Sequence, residues 1–278
     1  MMRITVRDFQ KMTEAGEKIA VLTAYDATSA FLTEAAGATA LLVGDSLGMV
    51  VQGHSSTIPV TLEQSIYHAQ MVVRSTQRAM IIGDLPFMTY KISTEQAMTS
   101  AARMMQESGV GAVKLEGGEY VASSIQRIVQ AGIPVMGHIG LTPQSVNQFG
   151  GFRVQGKDIF TAQQLLQDAL AVEAAGAFSV VLELIPAPLA QEISERLRIP
   201  TIGIGAGPHC DGQVQVYHDL LGLHPSFGPR HSKQYANAGR VIQDALSTFI
   251  EEVKAGKFPT SENSSTMNAE VLAEIRGH

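Results

Sequence analysis

Eight short apolar runs, each followed by a longer stretch with helical spacing, constrain the fold of this chain more than any other feature. They are "IAVLTAYD" (19–26), "TALLVGDS" (39–46), "AMIIGDLP" (79–86), "AVKLEGG" (112–118), "IPVMGHIG" (133–140), "FSVVLELIP" (178–186), "PTIGIGAG" (200–207) and, least distinct, "QVQVYHDLLGL" (213–223). Strands this continuously apolar are buried on both faces, as in a parallel sheet. Helices are predicted near 28–36, 61–76, 94–107, 119–130, 161–175, 187–197 and 234–254. In 94–107, Ala97, Ala101, Met104 and Met105 recur at helical spacing. Gly109, Gly132 and Gly176 stand where helices end before a strand. Eight such units imply a (β/α)8 TIM barrel, with an open doubly wound sheet as the alternative. The 278 residues accommodate one barrel of about 250 residues, taken here as 1–257. "TVRDFQKMTEAG" reads as a short extra N-terminal helix, and 258–278 as a polar linker and a small tail helix.

Composition narrows the function. A formal charge of −6 argues against nucleic acid as a partner. No apolar run approaches the roughly 18 residues that a bilayer requires, so no membrane role is expected. The single cysteine, Cys210, excludes an internal disulfide and fits the reducing cytoplasm.

In such barrels the functional groups gather at the C-terminal ends of the strands. Those ends carry Asp45 and Ser46, Asp84, Lys114 and Glu116, His138, and Glu183. Lys114 and Glu116 are two apart and therefore share one side of their strand. Each residue alone has an ordinary explanation: a cap or turn for either aspartate, an ion pair for Lys114 and Glu116, a satisfied core histidine for His138. Together they would bury several charges without partners, which is costly, so a functional mouth is the better account.

Three carboxylates without a His or Cys cluster suit a hard cation such as Mg²⁺ better than zinc. A magnesium ion on one or two carboxylates keeps positions open for a chelating 2-oxo acid. Lys114 and His138 offer positive charge to that acid. Glu183 lies between "SVVL" and "LIP"; apolar surroundings would raise its pKa and suit it to proton abstraction beside a carbonyl. "GIGAGP" (203–208) lacks the final glycine of a dinucleotide fingerprint and reads as a tight turn. Asp26 reads as a helix cap, Cys210 as an incidental thiol, and 141–160 as a loop over the mouth.

The blocks "TAYD", "LVGDSLGMVVQGH", "PVTLEQSIYH", "DLPFMTY", "VKLEGGE", "GHIGLTPQSVNQFGG", "VQGK", "AAGAF", "VLELIP" and "IGIGAG…DGQV" occur in order across roughly 20–225. In them the chain resembles the ketopantoate hydroxymethyltransferase family of pantothenate biosynthesis. The resemblance implies a barrel of the phosphoenolpyruvate mutase/isocitrate lyase type. It implies Mg²⁺ at Asp45, Asp84 and Glu116, the last directly or through water. It also implies substrate contacts at Asp45, Ser46, Asp84 and Lys114 with His138 nearby, and Glu183 as proton acceptor. The implied reaction transfers a hydroxymethyl group from 5,10-methylenetetrahydrofolate to 3-methyl-2-oxobutanoate, giving 2-dehydropantoate, in a cytoplasmic homodecamer. Three departures stand out: Gly83 where the family often has Ala or another small residue, a less regular "LGLHPSFGPRHSKQYAN", and a tail after Phe258 longer than expected. Rival readings are a Mg²⁺-dependent carbon–carbon lyase or mutase on the same barrel, and a non-catalytic metabolite-binding barrel.

Overall fold

A computed structural model describes residues 3–224 and 228–277. Eight parallel strands close into a barrel in sequence order: β1 (Ile19–Thr23), β2 (Ala40–Val43), β3 (Met80–Asp84), β4 (Ala112–Lys114), β5 (Val135–Gly140), β6 (Ser179–Glu183), β7 (Thr201–Ile204) and β8 (Gly212–Gln215). β8 closes the ring on β1, with Val214 opposite Val21.

Alternation along the strands sorts the side chains into two cores. Leu41, Val43, Ile81, Val113, Leu115, Val135, Ile139, Val180 and Leu182 join the layer under the helices. Val21, Ala40, Leu42, Met80, Ile82, Ala112, Met136, Val181, Ile202 and Val214 fill the barrel interior. Successive side chains point to opposite faces. Ile82 inside therefore puts Asp84 inside, Ala112 brings Lys114 and Glu116, Met136 brings His138, and Val181 brings Glu183.

The extra N-terminal helix, Val6–Glu14, plugs the opposite end. Its Phe9 is fully buried and meets Phe178 edge-on at 5.5 Å; burying that ring contributes about 2–3 kcal/mol. Asp26 caps the helix Ala27–Ala35, accepting from the Ser29 N–H at 2.7 Å. The helix Thr94–Ser108 buries Ala97, Ala101 and Met104 and ends on Gly109 at φ 79°. A side chain at Gly83 would come within 2.7 Å of Met104 Sδ, which accounts for glycine there.

The C-terminal third departs from the expected pattern. The run 213–223 does not stay extended: after β8 the chain turns into the short helix Tyr217–Leu221, where the Tyr217 N–H donates to Thr23 Oγ1 at 2.9 Å. Within the irregular stretch that follows, 225–227 lie outside the described residues. The next helix, Ala238–Lys254, buries no residue. It exposes Ile242, Leu246, Phe249, Ile250 and Val253, a stripe along one side. The tail helix Ala269–Arg276 is likewise exposed.

Candidate functional site

The mouth holds a cavity of about 700 Å³, and Asp45, Ser46, Asp84, Lys114, Glu116, His138 and Glu183 all line it. All but Ser46 and Glu183 are buried.

Lys114 is the hub. Its Nζ lies 2.7 Å from both Asp84 carboxylate oxygens and 4.0 Å from Glu116 Oε1. Burial opposes the ammonium charge, but Asp84, Glu116 and Asp45 hold it well above the usual lysine range. Burial lifts Asp84 from the ordinary carboxylate value, and Lys114 pulls it back. Asp45 is lifted much further, first by burial and then by Asp84 and Glu116. Its Oδ2 accepts from Gln144 Nε2 at 2.9 Å, and its backbone N–H donates to Asp84 Oδ2 at 3.3 Å. One ammonium therefore faces an excess of carboxylate, and Asp45 is the group left wanting a cation.

Glu116 is favoured as an anion despite its burial, because His138, Lys114 and the Gln144 N–H stabilise the charge. Its Oε1 is 3.5 Å from His138 Nδ1, and its Oε2 accepts from the Gln144 N–H at 3.1 Å. On the other side of the ring, His138 Nε2 is 3.2 Å from Glu183 Oε2. Neither contact is counted as a hydrogen bond among the described residues, so both are charge contacts. Burial and Lys114 work against a charged imidazole, yet Glu116 and Glu183 hold it up to about 9. His138 is thus an imidazolium between two carboxylates.

Glu183 sits at the open edge of this chain of charges, its side chain 14% exposed. Parity turns it away from Leu182 and toward His138, while Val181, Leu184 and Ile204 line the same cavity. Leu184 after it adopts φ 45°, unusual for a branched side chain and costing about 1–2 kcal/mol. Gly140 permits the close approach of β5: at φ 93°, a Cβ there would lie 2.2 Å from the Glu183 carbonyl oxygen. Ser46 places its Oγ 2.8 Å from the Tyr25 hydroxyl.

Two further residues belong to the site. Gln144 donates to Asp45 and to the Leu85 carbonyl oxygen at 3.0 Å. The Tyr90 hydroxyl donates to Gln144 Oε1 at 2.7 Å and accepts from the Glu116 N–H at 3.0 Å. Gln144 belongs to the 141–160 segment, which crosses the mouth as two short helical turns, Pro143–Ser145 and Val146–Phe149. That segment is pinned at both ends, by the Leu141 N–H on the Glu183 carbonyl and the Gln155 N–H on that of Leu184. Cys210 is buried in the outer core, where burial pushes its thiol up, away from nucleophilic reactivity.

Among the described residues, no three His, Cys, Asp or Glu side chains are arranged to enclose a metal ion together. Asp45 and Asp84, facing one cavity with surplus negative charge, fit a hard ion that takes two carboxylates and completes its shell with water and ligand oxygens. Glu116, already engaged by Gln144 and His138, fits contact through water.

The ketopantoate hydroxymethyltransferase family profile matches residues 3–261. The 3-methyl-2-oxobutanoate hydroxymethyltransferase of Chloroflexus aurantiacus is 60% identical over 276 residues, 99% of this chain and 98% of that protein. Its counterpart from Carboxydothermus hydrogenoformans is 54% identical over 99% of this chain and 100% of its own length. These near-complete matches include the tail, which is therefore no extension peculiar to this chain. Among solved structures, a phosphonopyruvate hydrolase superposes with TM-score 0.63 at 12% identity, covering 100% of this chain and 95% of that one. A 2,3-dimethylmalate lyase of the PEP mutase/isocitrate lyase superfamily superposes with TM-score 0.60 at 16% identity, covering 100% and 96%. At such identities the likeness is one of fold.

Proposed function

The chain belongs to the ketopantoate hydroxymethyltransferase family and is a 3-methyl-2-oxobutanoate hydroxymethyltransferase, and we propose that it works as a metal-assisted carbon nucleophile generator with Glu183 as its base. Asp45 and Asp84 would hold Mg²⁺, with Glu116 as the third carboxylate beside it. When bound, the ion supplies Lewis-acid polarisation of the keto acid and the positive charge that Asp45 lacks. Lys114 faces the ketone oxygen and stabilises the negative charge that develops there. The Ser46 hydroxyl donates to the same substrate. Glu183 removes the C3 proton, and the His138 imidazolium orients that carboxylate from its other side.

The carbanion carbon attacks the methylene of 5,10-methylenetetrahydrofolate. A carbon–carbon bond forms as one of the methylene's two carbon–nitrogen bonds breaks; water then displaces the second nitrogen and leaves its oxygen as the hydroxyl of 2-dehydropantoate, while the C3 proton and the second water proton end on the two folate nitrogens. The observation that carries this reading is the convergence of Asp45, Asp84, Lys114, Glu116, His138 and Glu183 on one cavity. The lyase or mutase alternative shares only the fold with this chain.

We also propose a homo-oligomer, a decamer by family resemblance. The uncovered apolar stripe of Ala238–Lys254 supports it, because such a face is stable when another copy buries it. Among the described residues no helix is long and apolar enough to cross a membrane. A cytoplasmic setting is supported by the free thiol of Cys210.

The test is deuterium exchange at C3 of 3-methyl-2-oxobutanoate, followed by NMR with and without Mg²⁺ before methylenetetrahydrofolate is added. Exchange should require the metal but not the folate, and product should appear only after folate. Metal-independent exchange would remove Mg²⁺ from the scheme, and binding without exchange would restore the non-catalytic alternative.

A further inference from the structure

The cavity of about 700 Å³ is far larger than a small keto acid needs; cavities of this size enclose drug-sized molecules. Its charges crowd at the ends of β2–β6. Elsewhere the wall is mostly apolar, including Met49, Val50, Phe152, Val154 and Val216, with Arg230 and His231 as its basic members. One carboxylate interrupts that wall: Asp219, on the short helix after β8.

Among the described residues Asp219 has no ion pair and no side-chain hydrogen bond. Burial alone pushes it up to about 6. Asp219 is half-buried at the cavity wall, and a carboxylate facing a cavity gains from a ligand that brings N–H groups. A keto-acid anion would be repelled there. A divalent ion would find one carboxylate where several oxygens are needed. The remaining fit is a flat, largely apolar ligand with two adjacent N–H donors on one edge, matching the two oxygens of a carboxylate.

We infer that Asp219 binds the 2-amino-4-oxopyrimidine edge of the reduced pterin, accepting from its N3–H and 2-amino groups, while the apolar wall covers the ring faces. The inference rests on the folate reading above and assigns the end of the cavity where the one-carbon donor is recognised.

The experiment is anaerobic calorimetry of the full-length protein at pH 8, with Mg²⁺ and 3-methyl-2-oxobutanoate present and tetrahydrofolate as titrant. D219N should weaken tetrahydrofolate by about 10- to 100-fold, while its keto-acid affinity shifts less than threefold. A 2-desamino tetrahydrofolate should bind the unaltered protein with a similar loss, a measurement that does not depend on the variant folding. Combining analogue and variant should add little further loss, since both remove one contact. Unaltered tetrahydrofolate affinity in D219N, or fully additive losses, would overturn the role of Asp219. Failure of the unaltered protein to bind tetrahydrofolate at all would instead overturn the folate reading.

Discussion

The two sides of the barrel mouth obey the same strand geometry yet carry opposite chemistry. From β2 to β6 the inward positions at the strand ends are Asp84, Lys114, Glu116, His138 and Glu183, with Asp45 beside them. From β7 through β8 to β1 they are Ile204, Val214 and Thr23. The charged side is held by mutual contacts of 2.7 to 4.0 Å, so each member depends on the others. The other side is mostly apolar, with Thr23 taken up by the Tyr217 N–H, and its members are held largely by packing and act more independently. The barrel thus divides its mouth into a sector that tunes charge and a sector that supplies shape. Substitutions should tell the two apart.

The largest effect should come from Glu183→Gln. A positioned general base contributes about 10²–10⁴-fold, so C3 deuteration should fall by about 10³-fold while the keto acid still binds. Exchange at the original rate would remove Glu183 from its role. Lys114→Met should follow, since it leaves Asp84 buried without its ammonium. Breaking one side of a buried pair costs about 3–5 kcal/mol, readable as a lower urea midpoint in metal-free protein; an unchanged midpoint would show that the carboxylates do not need the cation.

Gln144→Leu should weaken Mg²⁺-dependent keto-acid binding by about 10- to 100-fold, as expected when a group orienting a metal ligand is lost. Calorimetry measures it, and affinity equal to that of the unaltered protein would make Gln144 a packing residue only.

Acidity separates the sectors next. The His138 imidazole holds its proton up to about 9 in the folded state, against about 6.5 when exposed. The folded protein therefore binds more protons in that window. The resulting stability is complete below about 6.5 and is lost as pH rises through 9. Metal-free unfolding should show a decline of on the order of 2–3 kcal/mol across this range, and a flat profile would mean that His138 is neutral. The smallest effect belongs to the apolar sector: Ile204→Val should cost about 1 kcal/mol, by the same amount at pH 6.5 and pH 9. A pH-dependent loss there would erase the distinction between the sectors.

The site was legible in the sequence where chemistry follows strand parity. Charged residues at the ends of apolar runs had to share the barrel mouth once the runs formed a closed parallel sheet. Gln144 and Tyr90 were not legible, because nothing local marks an amide and a phenol whose partners lie 99 and 26 residues away. Asp219 was hidden for a related reason: it lies within the run 213–223, which reads as strand but curls into the helix Tyr217–Leu221, where Thr23 captures the Tyr217 N–H. The contact of Glu183 with His138 was not legible, because the two lie on different strands, although Val181 and Leu184 do line the same cavity as its sequence neighbours suggest. The exposure of Ala238–Lys254 was also beyond reach, since an amphipathic pattern does not say which body covers its apolar stripe.

The hold of Gln144 on the acid cluster bears on turnover. Its side chain joins Asp45, the Leu85 carbonyl and Tyr90, while its backbone joins Glu116. Residues 143–149 cannot lift from the mouth without breaking those bonds, so a molecule leaving by that route would unlatch the acids as it goes. Egress by that path and resetting of the carboxylates would then be one event, and the roof would serve as a clock for the cycle as well as a shield against solvent.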